Sequence, residues 1–96
     1  MHGCIIQEGV KINANTIINT QVVVEHDCDI ASHNHIATGA IVCGSVNTQA
    51  HVFIGAGATV IQKVSIGHNV TKAAGALVRL DVAANRRVYA NNTTDN

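Results

Sequence analysis

The chain has 96 residues, 47% of them hydrophobic, yet it holds one Phe, one Tyr, no Trp and no Pro. A core built from it is narrow and filled by Ile, Val, Ala and Cys. Formal net charge is zero, so no global field points to nucleic acid or an acidic membrane surface, and no apolar run is long enough to span a bilayer.

The charge is nevertheless uneven. Residues 1–60 set Lys11 against Glu8, Glu25, Asp27 and Asp29, a balance of −3, and residues 61–96 set Lys63, Lys72, Arg79, Arg86 and Arg87 against Asp81 and Asp95, a balance of +3. An anion prefers the C-terminal end. The opening "MHGCII" is too short and uncharged for a signal peptide. Three Cys without a CxxC spacing suit a reducing cytoplasm better than a disulfide framework.

In chain order, one frame starts at Ile6 and takes every sixth residue: Ile6, Ile12, Ile18, Val24, Ile30, Ile36, Val42, Thr48, Ile54, Val60, Ile66, Lys72, Val78. Eleven of these thirteen are Ile or Val. A second frame starts two residues earlier at Cys4 and is small or apolar as far as Val82, except at Asn34. Two inward positions two residues apart describe a short strand with one buried face, and the six-residue repeat puts a bend after each strand. A third frame runs Gly3, Gly9, Asn15, Gln21, Asp27, His33, Gly39, Ser45, His51, Gly57, Lys63, Asn69, Gly75, Asp81, Arg87. Eleven of its fifteen members are Gly, Asn, Asp or His, the types that best tolerate positive φ. Each bend therefore turns on a residue in the left-handed region.

A fixed period of this kind signals a solenoid. The hexapeptide signature resembles the left-handed parallel β-helix, a triangular prism with three six-residue sides to each coil. Left-handed coiling is an exception to the usual right-handed crossover, so handedness rests on the resemblance. The expected fold is all-β: residues 1–88 form a hexapeptide-repeat solenoid of about five coils, and 89–96 form an irregular tail. The open ends of such a prism expose strand edges that need a cap or a docking partner.

Chemistry concentrates in "VEHDCDIASHNHIATGA", Val24–Ala40. His33 and His51 belong to the bend frame, which accounts for them without any chemistry. His68 stands one place before a bend residue, where it is solvated. A zinc site needs three converging ligands, and no pair shows the five-residue His–His spacing of the γ-type carbonic anhydrases. His26 and His35 belong to neither inward frame nor to the bends, so both point outward. Nine residues apart, half a coil, they lie on opposite sides of one prism and meet only across a threefold axis, between neighbouring chains. One coil above His26 stands Gly44, which leaves a gap beside the imidazole. After His35 runs a column of small side chains, Thr20, Thr38, Ala56, Ala74. A small-walled groove beside a histidine, with basic residues toward one end, suits a long thin ligand that ends in phosphates.

"VEHDC", "HIATGA", "IGAGATVIQKVSIGHNV" and "AAGALV" together resemble the C-terminal half of the sialic acid O-acetyltransferase and bacillosamine N-acetyltransferase family, over about residues 5–90. The resemblance implies a homotrimer that moves acetyl from acetyl-CoA to a hydroxyl or amine of a sugar. It implies His26 as general base, Asp27 as the acid that raises its basicity, and His35 as a coenzyme contact. Further coenzyme contacts fall near Ala56 and Ala74. A backbone N–H near Gly44 can hold the developing oxyanion. The chain departs from that pattern at Asn34, Lys72 and Ala73, carries "DVAAN" and "YANN" in place of the C-terminal proline motifs, and is not expected to hold the family's N-terminal nucleotide-binding domain within these 96 residues. The alternative reading is a trimeric binding module without turnover.

Overall fold

The computed structural model describes residues 3–88, and the expected tail 89–96 lies outside them. Among the described residues there are fourteen two-residue strands and no helix. The first sheet stacks β1 (Ile5–Ile6), β4 (Val23–Val24), β7 (Ile41–Val42), β10 (Thr59–Val60) and β13 (Leu77–Val78). The second stacks β2 (Lys11–Ile12), β5 (Asp29–Ile30), β8 (Asn47–Thr48) and β11 (Ser65–Ile66). The third stacks β3 (Ile17–Ile18), β6 (His35–Ile36), β9 (Phe53–Ile54), β12 (Thr71–Lys72) and β14 (Arg87–Val88). All pairs are parallel, and the chain visits the three sheets in turn, as in a β-solenoid of about five coils. This is the architecture expected for a left-handed parallel β-helix.

The inward frames pack as the sequence demands. Val22, Val24, Ile30, Ile36, Val42, Val46, Ile54, Val60 and Val70 are fully buried. Ile6 and Ile12 belong to the same frame but remain 40% and 37% exposed, because they sit in the first coil with no described coil beneath. The bends also obey the frame. All thirteen positions from Gly3 to Gly75 have φ between 57° and 77°. Gln21, Ser45 and Lys63 adopt the left-handed region as well, at about 1–2 kcal/mol each for an L-residue. The regular strand ladder on both sides holds them there.

The frame slips once, contrary to expectation. Up to Val78 partners are eighteen residues apart, as in Val60↔Val78. Beyond it they are sixteen apart: Ile66 bridges Val82, and Thr71 and Lys72 pair with Arg87 and Val88. Asp81 and Arg87 are therefore not bend residues. Asn85 takes the positive φ of the last coil, Arg87 lies in β14, and Asp81 Oδ1 accepts the Ser65 N–H at 2.8 Å. Packing explains the slip. It sets Val82 and Val88 over Ile66 and Lys72, where an unbroken frame would set Ala84 and Ala90.

The outward faces differ. The first sheet shows the ladder Ile5, Val23, Ile41, Thr59, Leu77, and the third shows Ile17, His35, Phe53, Thr71, Arg87. The second shows Lys11, Asp29, Asn47 and Ser65. The first face is thus largely apolar, the third is mixed, with Ile17 and Phe53 among polar residues, and the second is polar.

Polar groups also enter the core. The Asn34 amide donates to the carbonyls of Ala31, Ser32 and Gln49, but its Oδ1 and the Thr48 hydroxyl lack partners among the described residues. Lys72 is fully buried in the last coils and its Nζ has no partner among the described residues. Burial pushes the Lys72 amine down to about 8. A base whose folded pKa lies below its unfolded one destabilises the fold fully below the lower value and regains stability as pH rises between the two. Relative to Lys72→Met, the chain should therefore gain stability from pH 8 to 10.5, by up to about 3 kcal/mol. At pH 7 Lys72→Met should be the more stable protein, by about 1–4 kcal/mol in urea titrations. A flat difference between the two across that window contradicts the buried charge.

The bend frame has its own check. His51→Asn should leave the thermal midpoint nearly unchanged, since Asn is at home at φ 61°. His51→Val should cost about 1–3 kcal/mol, because a β-branched residue resists that conformation.

Candidate functional site

His26 and Asp27 lie on the edge where the chain passes from the first sheet to the second, between β4 and β5. Asp27 is the bend residue, with φ 59°. Its N–H donates to Glu8 O one coil below, and the Ser45 N–H donates to His26 O from one coil above. These bonds fix the height of both residues on the edge. The His26 Nδ1–H then donates to Asp27 Oδ2 across 3.2 Å, which leaves the lone pair on Nε2. The pair is open to solvent, with side chains 58% and 67% exposed, and it lines a concavity with Gln7, Glu8 and Gly9.

Gly44 does more than leave a gap. A Cβ there would stand 2.7 Å from both Cε1 and Nε2 of His26, so the imidazole lies directly against the glycine. The Nε2 edge of the ring is thereby set beside the Gly44 backbone. Cys43 adjoins this point. Burial first, and then the Glu25 carboxylate, push its thiol up, so it stays protonated and does not compete as a nucleophile.

His35 sits in β6 on the third sheet, away from His26 in the same chain. It is held from both sides. The Asn19 amide donates to His35 Nε2 at 2.8 Å, and the Phe53 ring meets it edge-on at 5.1 Å. Ala56 and Ala74 follow on the exposed edge between the third and first sheets, where the Gly75 N–H donates to Ala56 O. The structure thus groups His35, Ala56 and Ala74 on one side of the prism, and His26, Asp27 and Gly44 on another.

Sequence reasoning missed Asn19, Phe53 and Gly9. The coil period holds the signal for two of them: Phe53 is eighteen residues after His35, and Gly9 is eighteen before Asp27. Asn19 was hidden because it reaches across from the strand end beneath. The other histidines behave as bend and surface residues. His33 and His51 stack with centroids 5.0 Å apart and planes within 5°, and His68 contacts the Gln49 amide oxygen. Among the described residues no three His, Cys, Asp or Glu side chains converge as a metal site, and no helix is long and apolar enough to cross a membrane.

The chain is similar to an acetyltransferase domain. The match is the acetyltransferase domain of PglB from Neisseria gonorrhoeae FA1090, with TM-score 0.83 and 33% identity over 84% of this chain and 40% of that one. A second match is a histidine-to-alanine mutant of GDP-perosamine N-acetyltransferase from Caulobacter crescentus, solved with CoA and GDP-perosamine. There the TM-score is 0.54 and identity 22%, over 86% of this chain and 48% of that one, a likeness of fold alone. The chain thus spans less than half the length of either match. No protein-family model and no curated protein matches it.

Two glycines against which neighbours pack closely offer a test of the packing around His26. At Gly55 a Cβ would meet backbone, namely Ala74 N at 2.6 Å and Lys72 O at 2.7 Å, whereas at Gly44 it would meet only the exposed ring of His26. Gly55→Ala should therefore lower the thermal midpoint markedly. Gly44→Ala should leave it nearly unchanged and instead swing the His26 ring, seen as moved imidazole resonances in NMR spectra.

Proposed function

We propose that the chain is an acetyl-CoA-dependent acetyltransferase domain that acts on a hydroxyl or amine of a sugar, as a homotrimer with its sites between chains. The observation that carries this reading is the His26–Asp27 pair, with Nδ1–H on the carboxylate and Nε2 against Gly44, on a solenoid that matches an acetyltransferase domain. His26 Nε2 takes the proton of the acceptor as it attacks the thioester carbonyl. Asp27 holds the tautomer and steadies the imidazolium. The Gly44 N–H, beside the ring and in no backbone hydrogen bond among the described residues, donates to the oxyanion. Collapse expels the coenzyme thiolate, which takes the proton from His26.

Exposed apolar side chains on the first and third faces support the trimer. Ile5, Ile17, Ile41 and Phe53 remain 38–55% exposed, a pattern that calls for a partner surface. If the first-sheet face of one protomer packs on the third-sheet face of the next, the His26 edge approaches the partner side that carries His35, Ala56 and Ala74. His35 then contacts the coenzyme, whose arm runs along that small-walled edge. The free thiols Cys4, Cys28 and Cys43 fit a reducing cytoplasm.

His26→Ala should cut turnover with acetyl-CoA and a panel of amino- and deoxy-sugars by about a hundredfold or more, with acetyl-CoA affinity little changed. His35→Ala should instead weaken acetyl-CoA binding in calorimetry. Mixing the two variants should restore part of the activity, because some mixed trimers pair two intact surfaces. Confirmed mixed trimers without recovery would sink the shared site. Acetyl-CoA binding without turnover for any acceptor would favour a binding module instead.

A further inference from the structure

Five bend glycines have positive φ: Gly3, Gly9, Gly39, Gly57 and Gly75. At Gly39, Gly57 and Gly75 an added Cβ would meet nothing within 4 Å, and at Gly3 it would meet Gln21 Cγ at an ordinary 3.5 Å. Gly9 differs. A Cβ there would overlap Asp27 Oδ1 outright and stand 3.1 Å from its Cγ. Conformation does not require glycine at this column, since Asp27, Ser45 and Lys63 take the same left-handed bend one, two and three coils above it. The space is needed because the Asp27 carboxylate occupies it.

That occupancy bears on His26. The carboxylate lies over Gly9 with one oxygen and presents the other to His26 Nδ1 at 3.2 Å. The Asp27 N–H donates to Glu8 O at 3.2 Å, so the backbone cannot lift to relieve a clash. A side chain at position 9 has one remedy: the carboxylate rotates, and its bond to the imidazole breaks.

We infer that Gly9 is a positioning residue, whose missing side chain seats the Asp27 carboxylate that orients His26. Gly9 touches no reacting atom and acts through Asp27. Its kinetic consequence rests on the function proposed above; its geometric content does not. Gly44 bounds the same pair from the other side, so the His26–Asp27 unit lies between two glycines on adjacent coils.

The test is Gly9→Asn, which keeps a residue tolerant of positive φ and adds the Cβ. Gly3→Asn, in the same coil at a similar φ, reports backbone strain without the carboxylate. Long-range 1H–15N spectra of the imidazole should show His26 passing from the Nδ1–H to the Nε2–H tautomer in Gly9→Asn and unchanged in Gly3→Asn. Turnover should fall at least about tenfold, a part of what a positioned base contributes, with the KM for acetyl-CoA unchanged. In an Asp27→Gly chain the same substitution should add no further loss, since nothing remains to displace. An unchanged tautomer in Gly9→Asn overturns the inference, and so does an equal further loss in the Asp27→Gly chain. If Gly9→Asn does not fold, pairing it with Asp27→Gly decides: recovery places the clash at the carboxylate, and continued failure refutes it. If the unmodified chain transfers no acetyl group, the proposed function falls while the tautomer comparison still decides the role of Gly9.

Discussion

The structure depends on one backbone constraint, a left-handed bend every six residues. Each bend turns the chain from one sheet to the next, and three bends return it to its starting side one strand-width higher, about 4.8 Å. As far as Val78, strand pairing then aligns each residue with the one eighteen before it. Because the bend positions carry no backbone choice, the sequence there records conformation first: mostly Gly and Asn, with Asp27 where the carboxylate also reaches His26 and Gly9 where that carboxylate needs space. The conformational cost at Gln21, Ser45 and Lys63 is offset by the ladders on either side, which no single residue can leave alone.

Stacking makes local space a property of columns. A side chain lies beside its own column mates, so a bulky group on an edge needs a small residue one coil away. His26 finds Gly44, and the Asp27 carboxylate finds Gly9. Gly55 obeys a different rule, because the strand end of the next coil presses on it with backbone atoms. A ring or carboxylate on an exposed edge can turn aside at small cost in stability, though at the cost of the His26–Asp27 geometry. Packed backbone cannot. Gly55 therefore protects the fold, and Gly9 and Gly44 protect the geometry of the proposed site.

The two ends of the solenoid are its weak points, for different reasons. At the N-terminal end the inward residues Ile6 and Ile12 are open to water in the described chain. At the C-terminal end the edge after Val78 drops two residues, and Lys72 places an amine with no partner among the described residues where the other coils place Ile or Val. Desolvation accounts for the lowered pKa of that amine. Tight order is concentrated in the middle coils, where the inward Val and Ile residues are fully buried and where His26, His35 and Gly44 are found.

The sequence by itself determined the period, the inward frames and the bends as far as Val78, because in a solenoid each of these is a local choice repeated. It also singled out His26, Asp27 and His35, which stand outside the structural frames or carry more than a bend requires. The break after Val78 was not legible: Asp81 fits the bend frame in composition, Arg87 departs from it no more than Lys63 does, and only packing of Val82 and Val88 over the coil below shows that two residues are skipped. The contacts of the site were equally hidden. That Asn19 holds His35, that the His26 ring covers Gly44, and that Asp27 rests on Gly9 depend on side-chain directions between coils. A one-dimensional pattern names the members of a column, and only the stacked structure decides which way their side chains turn.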